Sequence, residues 1–199
     1  MDRNFRILDE PALRAAKVSS DPYPHLRVEH AIAMARRASL LGDMPRVAGT
    51  GSHRVERLTY GETFADLLRD LRSPALRGLI EDRFGIDLSG CDGATTVRGW
   101  CGARDGNVHT DIARKAVTLL LYLNEEWRSP GGCLRLLRSR DLADYAVEIP
   151  PLFGSLLIFP RSDRSWHGHT RYDGRRVSVQ HNWMKPRIRT FLKNVFGEG

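Results

Sequence analysis

Apolar residues recur at helical spacing through the first half of the chain and in short runs, a few residues long, through the second. Between residues 28 and 41, Val28, Ala31, Ala35 and Leu40 fall on one side of a helix, with Arg36 and Arg37 on the other. Residues 63–71 predict a short helix. A further helix opens at Ser73-Pro74, where serine can cap and proline suits the first turn. Leu76, Leu79, Ile80 and Phe84 give it an apolar stripe, and Gly85 ends it. From Ala94 the pattern changes. Residues 95–100, 117–123, 133–137, 155–159 and 176–183 read as strands broken by glycine and proline. Strands this short and closely spaced predict a sandwich or jelly roll, with the helices as a layer packed outside it. Residues 19–22, with Pro24 just beyond, read as a loop.

The expectation is one α+β domain over residues 1–199 with a mainly β core. Residues 1–93 form a largely helical support and residues 94–185 the core. A chain of 199 residues can bury such a core without disulfides or a structural metal. Cys91, Cys101 and Cys133 agree, being odd in number and lacking a C-x-x-C pair. Met1-Asp2-Arg3-Asn4-Phe5-Arg6 has no apolar stretch of signal-peptide type, and no run approaches the ~20 apolar residues of a membrane span. The expected address is the cytoplasm, away from membranes. A net charge of +7 fits an anionic small substrate, a nucleic acid or an ordinary soluble surface. The arginines are dispersed rather than massed in one stripe, which disfavours nucleic acid.

The chemistry concentrates around His109-Thr110-Asp111. Strand side chains alternate faces, so an imidazole and a carboxylate two residues apart point the same way and can grip one metal ion. A distant histidine completes a two-His-one-carboxylate set that leaves positions open on ferrous iron for oxygen and a co-substrate. His167 and His169 share strand parity and both qualify. An arginine shortly after them, Arg176, can hold a carboxylate with its planar, permanently charged fork. His181 lies too far along the next strand and reads as a core or surface residue.

Residues 117–124 (Val-Thr-Leu-Leu-Leu-Tyr-Leu-Asn), then Trp127, then Gly131-Gly132-Cys133-Leu134-Arg135-Leu136, follow directly on His109-x-Asp111. Together these segments resemble the prolyl-hydroxylase-like branch of the 2-oxoglutarate/Fe(II)-dependent oxygenases, over roughly residues 97–183. Pro22-Tyr23-Pro24-His25-Leu26 also resembles the family's entry segment. The resemblance implies a double-stranded β-helix, the jelly-roll form already expected from the strands. It implies His109, Asp111 and His167 as iron ligands, with Arg176 on the distal carboxylate of 2-oxoglutarate. The interval from His167 to Arg176 fits the family better than that from His169, leaving His169 beside the metal or the substrate. Tyr122 is the preferred second contact to 2-oxoglutarate, and Ser178, on the same strand face as Arg176, is another. The cofactors implied are Fe(II), 2-oxoglutarate and O2, with ascorbate as an accessory reductant.

The implied reaction is hydroxylation with release of succinate and CO2. A small molecule, a sugar derivative or a protein side chain would serve as substrate, an anionic one fitting the charge. The alternatives are a nucleic-acid demethylase of the same superfamily and a non-catalytic jelly-roll binding module. Desaturation and ring closure are compatible with the same residues. Around this centre, Leu119, Leu121, Leu156 and Ile158 are read as an apolar wall for the oxidant, or as core. Lys115 is read as directed at the site or as a solvated lysine. Arg135 and Arg138 form a rim or plain surface, Arg175 is exposed, Trp166 and Trp183 are packing residues, and 105–107 form a turn. Substrate-contacting loops are expected in the first half and between residues 141 and 152.

Overall fold

The computed structural model describes residues 5–186, so the reading of the first four residues lies outside it. Helices α1 (Glu10–Ala15), α2 (Arg37–Asp43), α3 (Glu62–Leu71) and α4 (Pro74–Phe84) accompany ten strands. These are β1 (Val18–Ser19), β2 (His25–Val28), β3 (His53–Arg54), β4 (Asp92–Cys101), β5 (Lys115–Tyr122), β6 (Leu134–Leu137), β7 (Tyr145–Ile149), β8 (Leu156–Pro160), β9 (His167–His169) and β10 (Gly174–Met184). The larger sheet runs β1-β2-β8-β5-β10-β4-β3 and the smaller β7-β6-β9. Every strand pair within them is antiparallel. An isolated bridge between His109 and His167 extends the smaller sheet past β9. The two sheets face each other as a jelly roll.

Strand parity divides the interior in two. On β5, Val117, Leu119 and Leu121 join Leu156, Ile158, Val177 and Val179 in a cluster shared with Phe64, Leu67, Leu76 and Ile80 of α3 and α4. The alternate residues face the smaller sheet, where Tyr122, Leu157 and Phe159 pack with Leu134, Leu136 and Ile149. The helices thus sit on the outer face of the large sheet, as the sequence predicts. The Ser73 hydroxyl accepts from the N–H of Leu76 at 3.1 Å, Pro74 occupies the first turn, and Gly85 closes α4 in the left-handed region.

Two expectations are corrected here. Residues 28–41 are not one helix: Val28 ends β2, paired with Leu156, and a 3-10 turn at Met34–Arg36 precedes α2. Val28 and Ala31 are buried because they follow the sheet edge, whereas Ala35 is exposed. The first half therefore contributes strands as well as helices. Within residues 141–152, Tyr145–Ile149 is β7, bonded to β6, rather than part of a long loop.

One buried carboxylate ties the start of the described chain to α3. Asp70 accepts from the N–H groups of Arg6 at 3.0 Å, Ile7 at 2.7 Å and Leu8 at 2.9 Å. Replacing it with alanine leaves three backbone donors short of an acceptor. Asp70→Ala is expected to cost roughly 3 kcal/mol or more, read by thermal or urea unfolding, with Asp70→Asn losing less because one oxygen remains.

Candidate metal centre and co-substrate pocket

His109 and His167 face each other across the last pair of the small sheet. Each N–H donates to the other's carbonyl at 3.0 Å, and the imidazoles sit side by side with ring centroids 4.4 Å apart. Asp111 follows two residues after His109. One ligand atom from each of these three side chains lies within 4.8 Å of the other two.

Their partners prepare them as donors. The Nδ1 of His109 lies 2.8 Å from the carbonyl oxygen of Asn107, and that of His167 lies 2.9 Å from the carbonyl oxygen of Ser165. A carbonyl can only accept, so each Nδ1 carries the proton and each Nε2 keeps its lone pair. Burial pushes His167 down to about 4, against the attraction of Asp111, so its ring is neutral near pH 7. Burial opposes ionisation of Asp111, but Lys115, His167 and Thr118 outweigh it and hold the carboxyl below its ordinary range. Lys115 Nζ donates to Asp111 Oδ1 and Thr118 Oγ1 to Oδ2, each at 2.5 Å. The backbone is fixed as well, since Arg161 Nε donates to the Asp111 carbonyl at 2.9 Å. Two imidazoles that present Nε2 and one ionised carboxylate, with no further donor in the group among the described residues, fit a divalent first-row ion that keeps open positions.

A cavity of about 200 Å³ runs from this trio between the sheets. His109, Asp111 and His167 line it together with Tyr122, Arg176 and Ser178. Arg176 is 5% exposed, and its Nε donates to the Gly132 carbonyl at 2.8 Å while Nη2 donates to the Tyr122 hydroxyl at 3.2 Å. The guanidinium also lies over the Tyr122 ring, 5.0 Å from its centroid. Gly132 supplies that carbonyl from a crowded place. A Cβ there would come within 2.7 Å of Trp127, and φ is +80°. Ser178 stands directly across from Tyr122 in the sheet. All six residues singled out from the sequence thus line one cavity.

His169 is separate from the trio. Its Nδ1 is bonded to the Thr170 carbonyl, and Nε2 points to Cys101 Sγ at 3.7 Å. Gly106 makes room for its ring, since a Cβ there would lie 2.2 Å from it. His181 is buried, bonded to Thr95 Oγ1 at 2.8 Å and packed edge-on against Trp183. Lys115 faces the site. Arg135 pairs with Glu148 and Arg138 with Asp21, while Arg175 is exposed. The apolar wall needs correcting. Leu119, Leu121, Leu156 and Ile158 belong to the cluster under the helices, and the leucines lining the cavity are Leu120 and Leu134. Tyr122 faces the cavity, so Leu119 and Leu121, odd-numbered on the regular part of β5, cannot; Lys115 faces it because the register shifts between Val117 and Lys115.

Residues that sequence reasoning missed include Thr118, which steadies Asp111, and Asn124. The Asn124 amide donates to the carbonyls of Pro151 and Val177 and accepts from the Val177 N–H, fixing the backbone beside Arg176. For Thr118 the parity with Tyr122 was an available signal. Gln180 had the same signal in its parity with Arg176 and Ser178, whereas Arg98 and Asp105, also at the cavity, carried none.

Residues 101–185, which include the trio, Tyr122, Arg176 and Ser178, match the family model of the 2OG-Fe(II) oxygenase superfamily. The fold is similar to that of a Pseudomonas putida prolyl-4-hydroxylase, 20% identical with a TM-score of 0.57 over 88% of this chain and 90% of that one. It is also similar to a Trichoplax adhaerens prolyl hydroxylase in complex with a hypoxia inducible factor oxygen degradation domain peptide fragment, 19% identical, TM-score 0.57, over 81% and 83%. A non-heme alpha ketoglutarate dependent carbocyclase from nogalamycin biosynthesis shares the fold too, 14% identical, TM-score 0.52, over 89% and 84%. No curated protein matches the chain. No described helix is long and apolar enough to cross a membrane. Residues 101–185 thus carry a 2OG-Fe(II) oxygenase domain within a prolyl-hydroxylase-like fold, and domains of this kind work with ferrous iron, 2-oxoglutarate and dioxygen.

Proposed function

We propose that this chain hydroxylates a small polar substrate, with His109, Asp111 and His167 holding the iron and Arg176, Tyr122 and Ser178 seating 2-oxoglutarate. The observation that carries the reading is one cavity with a three-donor group along one part and a buried arginine along another. Bound iron would supply the open coordination positions at which 2-oxoglutarate and dioxygen meet. The chain's own residues do the rest. Arg176 offers its guanidinium to the distal carboxylate, and the Tyr122 and Ser178 hydroxyls complete that seat. Thr118 and Lys115 keep Asp111 ionised and aimed. Leu120 and Leu134 give the cavity an apolar stretch that excludes water.

The reaction balances as R–H + O2 + 2-oxoglutarate giving R–OH + succinate + CO2. Dioxygen takes four electrons, two from the decarboxylated keto acid and two from the C–H bond, and one oxygen atom enters each of succinate and product. Ring closure is the second outcome, because one protein of this fold is a carbocyclase. A nucleic-acid substrate is disfavoured, since among the described residues lining the cavity Tyr122 is the one phenyl-type ring and it is committed to Arg176.

The test needs no substrate. Protein supplied with ferrous iron, 2-oxoglutarate and air is expected to form succinate slowly, at a rate proportional to protein. A folded sample that binds neither ferrous iron nor 2-oxoglutarate would overturn the reading.

A further inference from the structure

Building on that reading of the cavity, we propose that Arg98 and Asp105 select the prime substrate and that it is a free α-amino acid, carboxylate on Arg98 and ammonium on Asp105. Beyond the six residues already placed, the polar side chains lining the cavity are Arg98, Asp105, Lys115, His169 and Gln180. Lys115 is engaged by Asp111, His169 is turned to Cys101, and the Gln180 amide donates to Asn182 Oδ1 at 3.0 Å. Arg98 and Asp105 remain, paired with each other at 2.8 Å and each about a quarter exposed.

Their position suits a second substrate. Ser178 lies between Tyr122 of β5 and Arg98 of β4 in cross-strand register, so Arg98 flanks the 2-oxoglutarate seat on the side away from β5. Asp105 lies on the connection that leads from β4 to His109. Its carboxylate also accepts from the Gly102 N–H at 2.9 Å, which holds it at the cavity rim.

The pairing of opposite charges narrows the class. A partly solvated ion pair opens at little cost, because water and salt already screen it. A ligand carrying only a carboxylate would take Arg98 and leave Asp105 without its cation. A ligand carrying only an amine would strand Arg98 in the same way, exchanging one ion pair for another with no net gain. A zwitterion replaces both partners at once. An amino acid within a peptide chain presents neither charge. The cavity, about 200 Å³ and shared with 2-oxoglutarate, also favours a compact ligand.

The experiment titrates the twenty standard L-amino acids into the 199-residue chain holding Mn(II) and 2-oxoglutarate without oxygen, by calorimetry. Succinate formation is then followed with iron in air. One amino acid, or a chemically related few, is expected to bind and to raise succinate formation above the substrate-free rate. Its N-acetyl and C-amide derivatives are expected to bind at least about 10-fold more weakly, as are Arg98→Gln and Asp105→Asn proteins toward the free form. Arg98→Lys, which keeps the charge, stays closer to the parent than Arg98→Gln does. Protein that binds manganese and 2-oxoglutarate but none of the twenty overturns this inference alone, as does equal binding of the blocked derivatives or full affinity in Arg98→Gln. Failure to bind either manganese or 2-oxoglutarate overturns the proposed function beneath it.

Discussion

Asp111→Ala is expected to abolish 2-oxoglutarate turnover and to weaken ferrous iron binding by about 100-fold or more, measured by anaerobic titration. Losing a residue that merely orients a ligand already costs roughly 10–100-fold in metal affinity, and Asp111 supplies the one carboxylate of the trio. The substitution also removes the charge that Lys115 faces at 2.5 Å. The remaining site is two imidazoles beside an ammonium, which repels a divalent cation. Asp111→Glu separates the two effects. It keeps the charge but lengthens the arm, so iron binding recovers in part while turnover stays low. Unchanged iron affinity in Asp111→Ala would make this aspartate structural and remove the metal centre from the proposal.

Arg176→Lys is expected to raise the 2-oxoglutarate KM by about 30-fold or more, the loss typical of removing one partner from a buried charged contact. An ammonium keeps the charge but gives up the fork. It cannot hold the Gly132 carbonyl, approach the Tyr122 hydroxyl and present a flat face to the Tyr122 ring at the same time. Iron affinity is expected to stay near the parent value, because Arg176 lies outside the three-donor group. A 2-oxoglutarate KM equal to the parent's would show that the co-substrate's tail lies elsewhere.

Much of the site was legible before any coordinates because its signals are local. His109 and Asp111 share a strand face by spacing alone, and Ser178 follows Arg176 by the same rule. The outer helices were legible where caps mark their ends, as at Ser73 and Gly85. What stayed hidden depends on register between distant segments. Nothing near Arg98 in the sequence says that it lies across from Ser178, since that pairing is set by how β10 docks on β4. Leu119 and Leu121 looked equally suited to a cavity wall or to the core until the direction of Tyr122 decided the parity of residues 117–122. Residues 28–41 misled because the buried positions Val28 and Ala31 happen to fit a helical period while lying along a sheet edge.

The bridge between His109 and His167 consists of two hydrogen bonds, joined by one more between the same segments from the His169 N–H to the Gly106 carbonyl. Each imidazole is aimed by its own bond to a backbone carbonyl, and an ion bound between them would act as a rivet joining the two segments at the margin of the small sheet. Iron affinity and closure of that margin would then be one equilibrium seen from two sides, and supplying metal would stiffen the small sheet there.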